Sequence, residues 1–475
     1  MTQRVLFVEP PKAYWFVMGE YLSPPSPLLI LAAYIERELP EVEIDILDSQ
    51  ADRLSWKGLE QRIESLRPTM VCTSGFTTNA YGCARACELA KKVNEDLVTV
   101  VGGIHFSYTP DESLRDFPEI DYIVRGEGEQ TLVDLIRTIE QKGRMHDVQG
   151  VSWRHNGTII HNPPRPLIEN LDSLPYPAYH LVEQHLRKYH FTMMTSKKTI
   201  YMIIEGARGC EHRCSFCTQW NHWGNRWRTK SAKRIADEIE FMHETYGGEF
   251  LWFTDDHMNL RQRGKPLYEE LRHRQCKDDI MIFFQARTDD IVHHPEVIGD
   301  LHDVGTYWIL CGVESDSPEQ LKEYHKNIST ADAYTAMKLL RKHDIFAQAM
   351  FVIGGRKDTH ESIERLRQYS QDIDADLSIY TALTPFPGTS FYDTAKKNGW
   401  IQDTNYTNYD MTHAIMPTET LTRQEVQEEL YRCYYSYYGS ISKGIAGVFA
   451  KNKLKRNVYR HMAGQHVLTG LRRLI

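Results

Sequence analysis

The chain has 475 residues, room for two or three domains, with 41% hydrophobic residues, 25% charged residues and a net charge of −8. No run of roughly 18 apolar residues occurs, so membrane-spanning helices are not expected. The opening MTQRVLFVEPP lacks the charged, apolar, small-residue order of a signal peptide, which points to a cytoplasmic protein.

Residues 1–145 alternate two periodicities. RVLFVEP (4–10), EIDILD (43–48), MVCTSGF (70–76), LVTVVGG (97–103) and DYIVRGEGE (121–129) read as strands. PLLILAAYIEREL (27–39), WKGLEQRIESL (56–66), NAYGCARACELAKKV (79–93) and TLVDLIRTIE (131–140) read as helices. This predicts an α/β domain with a doubly wound parallel sheet and a ligand crevice beyond the strand C-termini. No G-x-G-x-x-G follows the first strand, which disfavours a nicotinamide-dinucleotide domain. Its place is taken by EPPKAYWFVMGEYLSPPSP, an aromatic and proline-rich stretch that either covers a ligand or packs structurally.

Residues 146–198 read as a connector, with a hairpin around Asn156-Gly157 followed by proline-punctuated extended chain. From 199 to 395 about six more strand–helix units follow, which predicts a partial (β/α)6 barrel with its site at the strand C-termini. Standing there are a cysteine-rich loop, Asp255 and Asp256, Gln285 and Arg287, Glu314 and Ser315, and Gly354 and Gly355. Residues 396–475 read as a tyrosine-rich helical region with a basic tail. From Ile441 onward there are eight basic residues and no acidic one. In that tail Ile445, Val448, Phe449, Leu454, Val458 and Tyr459 alternate with Lys and Arg, either as a solvated last helix or as a contact for anionic lipid that would make the protein membrane-peripheral. No recognition motif accompanies the charge, so no nucleic-acid partner is expected.

The nine cysteines are odd in number and thinly spread apart from one group, which argues against a disulfide framework and for chemistry in the group. In GARGCEHRCSFCTQWNHWGNRWR, Cys210, Cys214 and Cys217 are spaced Cys-x3-Cys-x2-Cys. A structural zinc wants four ligands; His212 is out of step with zinc spacing and no second C-x-x-C exists. An iron–sulfur cubane held by three thiolates keeps one iron open, which suits a reaction better than a staple. The aromatic and basic run Trp220, Trp223, Arg226, Trp227 and Arg228 faces a flat substrate or packs beneath the loop.

This motif, with Phe216 before its last cysteine and a barrel around it, resembles the radical S-adenosylmethionine (SAM) superfamily. The resemblance implies a [4Fe–4S] cluster on the three cysteines, SAM on the open iron, and a 5′-deoxyadenosyl radical that takes hydrogen from an unactivated carbon. It also implies that Phe216, Thr254, Asp255, Asp256, Arg287, Glu314, Ser315 and Gly354 surround SAM, although FTDD at 253–256 departs from the family's usual Gly-Gly-Glu. A doubly wound domain ahead of such a barrel, with VVGGIHFSYTPDE and DYIVRGEGEQTL, resembles the cobalamin-binding radical SAM group. Ser74, Thr77, Gly102, Gly103, His105, Gly126, Glu127 and Glu129 are then expected to line the corrin, unless the domain is a relic without ligand. LDSQADR (47–53) holds no histidine to ligate cobalt from below. Within that group the run after Cys217 is similar to the anaerobic magnesium-protoporphyrin monomethyl ester oxidative cyclases. The resemblance implies a large substrate, a tetrapyrrole or a lipid, oxidised and cyclised or else C-methylated, and an electron donor such as flavodoxin or ferredoxin.

Overall fold

A computed structural model describes residues 3–12, 20–195, 198–437, 447–449, 452 and 455–461. Its N-terminal half is built on β1 (Arg4–Glu9), β2 (Glu43–Asp48), β3 (Met70–Ser74), β4 (Val98–Gly102) and β5 (Tyr122–Val124), crossed over by α1 (Ser26–Glu38), α2 (Trp56–Leu66) and α3 (Ala80–Val93) and followed by α4 (Glu129–Glu140). The five strands pair in parallel in the order β2-β1-β3-β4-β5. Val5, Leu6, Phe7 and Val8 are all fully buried, as a strand covered by helices on both faces must be. The order reverses beside β1, and the loops after β1 and β3 diverge there to leave a crevice.

The hairpin β6 (Val151–His155) and β7 (Thr158–His161) continues this sheet antiparallel beyond β5. Its two-residue turn has Asn156 at φ +49° and Gly157 at φ +77°, the left-handed pair a tight hairpin demands. Part of the expected connector is thus sheet. Another part straps the loop after β1, because His190–Phe191 pairs with Tyr21–Leu22.

The second half is a six-stranded parallel sheet in chain order: β8 (Tyr201–Ile204), β9 (Phe250–Phe253), β10 (Met281–Arg287), β11 (Thr306–Glu314), β12 (Phe346–Ile353) and β13 (Leu377–Ala382). Helices α5 (Ala232–Tyr246), α6 (Lys265–Leu271), α7 (Pro295–Asp303), α8 (Thr330–Lys342) and α9 (His360–Asp372) connect them. Among the described residues β8 and β13 do not pair, so the barrel stays open. Tyrosines cover both free edges. The Tyr179 hydroxyl accepts from the Ile203 N–H at 2.9 Å and reaches its carbonyl at 3.3 Å, and the Tyr434 hydroxyl donates to the Tyr380 carbonyl at 2.6 Å.

Helix α10 (Arg423–Tyr437) packs Val426, Leu430 and Cys433 into the core. In the tail, Val458 and Tyr459 are buried and Phe449 is exposed, while Ile445 and Leu454 lie outside the described residues. Among the described residues no helix is long and apolar enough to cross a membrane.

Candidate active site

The cysteine loop leaves the end of β8. Ala207–Arg208 pairs antiparallel with Arg228–Thr229, so residues 209–227 close into one lobe. Two aspartates after β9 fasten its start. The Asp255 carboxylate accepts from the N–H groups of Gly206 and Ala207 at 2.7 and 2.9 Å and pairs with Arg263 at 2.5 Å; that of Asp256 accepts from the Gly209 N–H at 3.1 Å. Gly209 sits at φ +89°, where a Cβ would lie 2.1 Å from the Arg226 carbonyl oxygen, so no larger residue fits the crossing. Trp220 and Trp227 pack on the lobe, donating to the carbonyls of Cys214 and His257 at 3.0 Å each. Arg226 points outward to a bidentate, exposed pair with Glu169.

Cys214 raises Cys210, and both raise Cys217. Burial first, then neighbouring negative charge, pushes Cys210 up to about 11 and Cys217 up to about 12. Cys214 is raised by burial, against the pull of Lys326 and Arg287. Thiols held protonated in this way are released by a positively charged metal centre, which supplies the counter-charge to their thiolates and takes the place of their protons.

Beyond the lobe lies a cavity of about 270 Å³ at the C-terminal ends of the barrel strands. Phe216, Asp256, Gln285, Arg287 and Glu314 line it, together with Met350, Val352 and Leu383. Glu314 accepts from Lys326 at 2.7 Å, both buried. Burial works against the Lys326 charge, but Glu314 and Cys214 outweigh it and hold the ammonium above its ordinary value. Arg287 forks onto Asp289 at 2.9 and 3.0 Å. Asp256 is pushed up to about 7 by burial, with Asp255 and Glu205 adding. Four other residues expected around SAM lie elsewhere, Thr254 among them on the wall of the larger cavity alone. The Asp255 carboxylate is occupied by the loop and Arg263. Ser315 bonds Gln320 and the Ser317 N–H. Gly354 stands against Val426 of α10.

A larger cavity, about 650 Å³, lies between the crevice of the N-terminal sheet and the barrel. Ser74, Thr77, Gly102, Gly103, His105, Gly126, Glu127 and Glu129 all line it, joined by Thr254 and Trp223 from the barrel side. Gly103, at φ +91°, brings its backbone against Gly75; a Cβ there would meet the Gly75 carbonyl oxygen at 2.6 Å. Burial lowers His105 to about 4, leaving a neutral ring 3.4 Å from the Thr77 hydroxyl. From the stretch after β1, Tyr21 and Ser23 through Ser26 line this cavity as well; residues 13–19 lie outside the described residues. Asp256, Phe386 and Met411 line both cavities, so the two adjoin. The cysteine loop reaches both cavities, through Phe216 on the smaller and Thr218, Gln219, His222 and Trp223 on the larger, so a glycine-rich wall that fits a flat macrocycle adjoins a pocket that fits SAM.

Sequence reasoning missed Lys326, Arg208 and the pair Glu9–Gln50, in which Gln50 donates to Glu9 at 2.8 Å on the larger cavity's wall. Arg208 had one signal, its place two residues before Cys210; Lys326 had none.

A B12 binding domain model matches residues 19–136, and a Radical SAM superfamily model matches residues 204–369. With both domains in one chain the protein is a cobalamin-dependent radical SAM enzyme, and its cofactors are cobalamin, SAM and a [4Fe–4S] cluster. It is 29% identical to "Uncharacterized methyltransferase PH0819" of Pyrococcus horikoshii over 92% of this chain and 93% of that protein. It is 27% identical to the anaerobic magnesium-protoporphyrin IX monomethyl ester cyclase of Rubrivivax gelatinosus over 92% of this chain and 77% of the cyclase. It shares the fold of TsrM, a radical SAM methyltransferase from Kitasatospora setae, with a TM-score of 0.75 at 16% identity, covering 98% of this chain and all of that one.

Proposed function

We propose that the protein functionalises an unactivated carbon of a large, mostly apolar substrate, and that the reaction is C-methylation. The observation that carries this is the shared boundary of the two cavities at Asp256, Phe386 and Met411. A carbon activated from the smaller cavity lies beside whatever the larger one holds. When bound, the reduced cluster and SAM supply the radical that removes hydrogen, and cobalamin supplies the methyl group.

In this reading Cys210, Cys214 and Cys217 hold the cluster. Arg287 and the Glu314–Lys326 pair orient the charged end of SAM, and Phe216, Met350, Val352 and Leu383 keep water from its adenosine. Asp256, with its proton at the edge of leaving near neutral pH, receives the amino group. The loops of Ser74, Thr77, Gly102, Gly103, His105 and Gly126 hold the corrin. A one-electron donor such as flavodoxin or ferredoxin reduces the cluster. The second reading is oxidative cyclisation of a tetrapyrrole, favoured by the likeness to the cyclases.

The test needs no substrate at first. The anaerobically reconstituted protein is given reduced cobalamin and SAM with a deuterated methyl group. S-adenosylhomocysteine and labelled methylcobalamin are expected. If 5′-deoxyadenosine forms but neither of these does, methylation is wrong. Conversion of magnesium-protoporphyrin IX monomethyl ester to a ring-closed, oxygenated product would then establish cyclisation.

A further inference from the structure

The GEGE turn after β5 does more than face the corrin cavity. The Glu127 carboxylate accepts from Arg208 at 2.8 Å and from Arg228 at 2.9 Å, and Glu129 accepts from Arg208 at 2.5 Å. Glu205, at the end of β8, accepts from the Arg208 Nε at 2.9 Å. The side chains of Arg208, Arg228, Glu127 and Glu129 are each no more than 5% exposed. Trp223 lies over both guanidinium groups, at 5.5 and 5.8 Å from ring centre to Cζ. The carboxylates at 127 and 129 come from the turn after β5 and the first residue of α4, and both arginines come from the two strands that close the cysteine loop.

Two domains need no buried charges to adhere, since apolar side chains of similar volume do as well or better. What a forked, bidentate guanidinium adds is direction: it fixes distance and angle, which apolar packing leaves loose. Here the fork joins the wall of one cofactor cavity to the chain two residues before the first cluster cysteine. We propose that Arg208 and Arg228, gripped by Glu127, Glu129 and Glu205, are positioning residues that set the separation of cobalamin from the iron–sulfur cluster. The inference rests on the two cofactor cavities alone and holds for methylation and cyclisation alike.

The test uses the full chain loaded with both cofactors and reduced so that cob(II)alamin and the cluster are each paramagnetic. Their magnetic coupling depends steeply on separation and is read by electron paramagnetic resonance without any turnover. Arg208→Lys keeps the charge and loses the fork. It is expected to retain its iron and to bind cobalamin, yet to show weakened or broadened coupling. Glu129→Gln, which alters only the N-terminal side, is expected to do the same more mildly and is read by the same criterion if Arg208→Lys does not fold. Coupling that superimposes on wild type in both variants overturns the proposal. So does loss of iron together with coupling, which would make the network part of the cysteine loop's own fold. Failure to make methylcobalamin would sink the methylation reading and leave the coupling measurement intact.

Discussion

Glu9 sits at the end of β1 on the wall of the larger cavity. Burial, reinforced by Asp48, pushes its carboxyl up from 4.5 to about 8, against the hydrogen bond from Gln50 and the charge of Lys12. Unfolded, the carboxyl loses its proton near 4.5; folded, it keeps it to about pH 8. Between those values the folded chain binds more protons than the unfolded one, so wild-type stability falls as pH rises through the window. Glu9→Gln keeps the shape and the neutral state and cannot ionise. The interval from 4.5 to about 8, at about 1.36 kcal/mol per pH unit, sets an upper bound of about 4.8 kcal/mol on the variant's gain. The cavity leaves this side chain partly open to water, which screens the effect, so about 2 kcal/mol is the expected size. In cobalamin-free protein the two chains should unfold alike near pH 4. The variant should gain progressively, melting roughly 4–8 °C higher by about pH 8.5. Thermal melts across that range check it. A difference that is flat with pH, or a wild type that gains on the variant as pH rises, would refute a protonated Glu9.

Cys214→Ala should lose the iron–sulfur absorption and all 5′-deoxyadenosine formation after reconstitution, while circular dichroism of the rest stays near wild type. Asp255→Asn strips the carboxylate from a buried Arg263 and should destabilise the barrel by about 3–5 kcal/mol, read as a lowered denaturation midpoint; a loss below about 1 kcal/mol would contradict the buried pair. Gly209→Ala drives a Cβ into the Arg226 carbonyl and should displace the loop, measured as loss of bound iron out of proportion to any loss of thermal stability.

The order of elements was readable because both halves advertise their period. β2 and α2 follow the runs EIDILD and WKGLEQRIESL to the residue, and the six strand–helix units expected from 199 to 395 are there as β8 to β13. The eight residues assigned to the corrin from the sequence line one cavity because strand C-termini in a doubly wound sheet converge whatever the ligand. Side chains are harder. Asp255 and Asp256 are neighbours in sequence and point to different duties, one clamped by the backbone of Gly206 and Ala207 and the other lining both cavities. Nothing in the string "TDD" separates them. Lys326 belongs to a segment with no strand-end signature and reaches the smaller cavity only because Glu314 draws it in. The grip of Glu127 and Glu129 on Arg208 spans about eighty positions of sequence, a separation over which local pattern carries no information.

The open barrel has two strand edges without a neighbouring strand, and such edges, left bare, invite another chain to add one. On β8, Tyr179 occupies both backbone groups of Ile203 that a neighbour would take; on β13, Tyr434 takes the carbonyl of Tyr380, and the Met411 carbonyl takes the N–H of Ala382. A side-chain hydroxyl can fill a strand's hydrogen-bonding positions without offering a further edge of its own. The barrel therefore stays open without making the enzyme a template for its own aggregation.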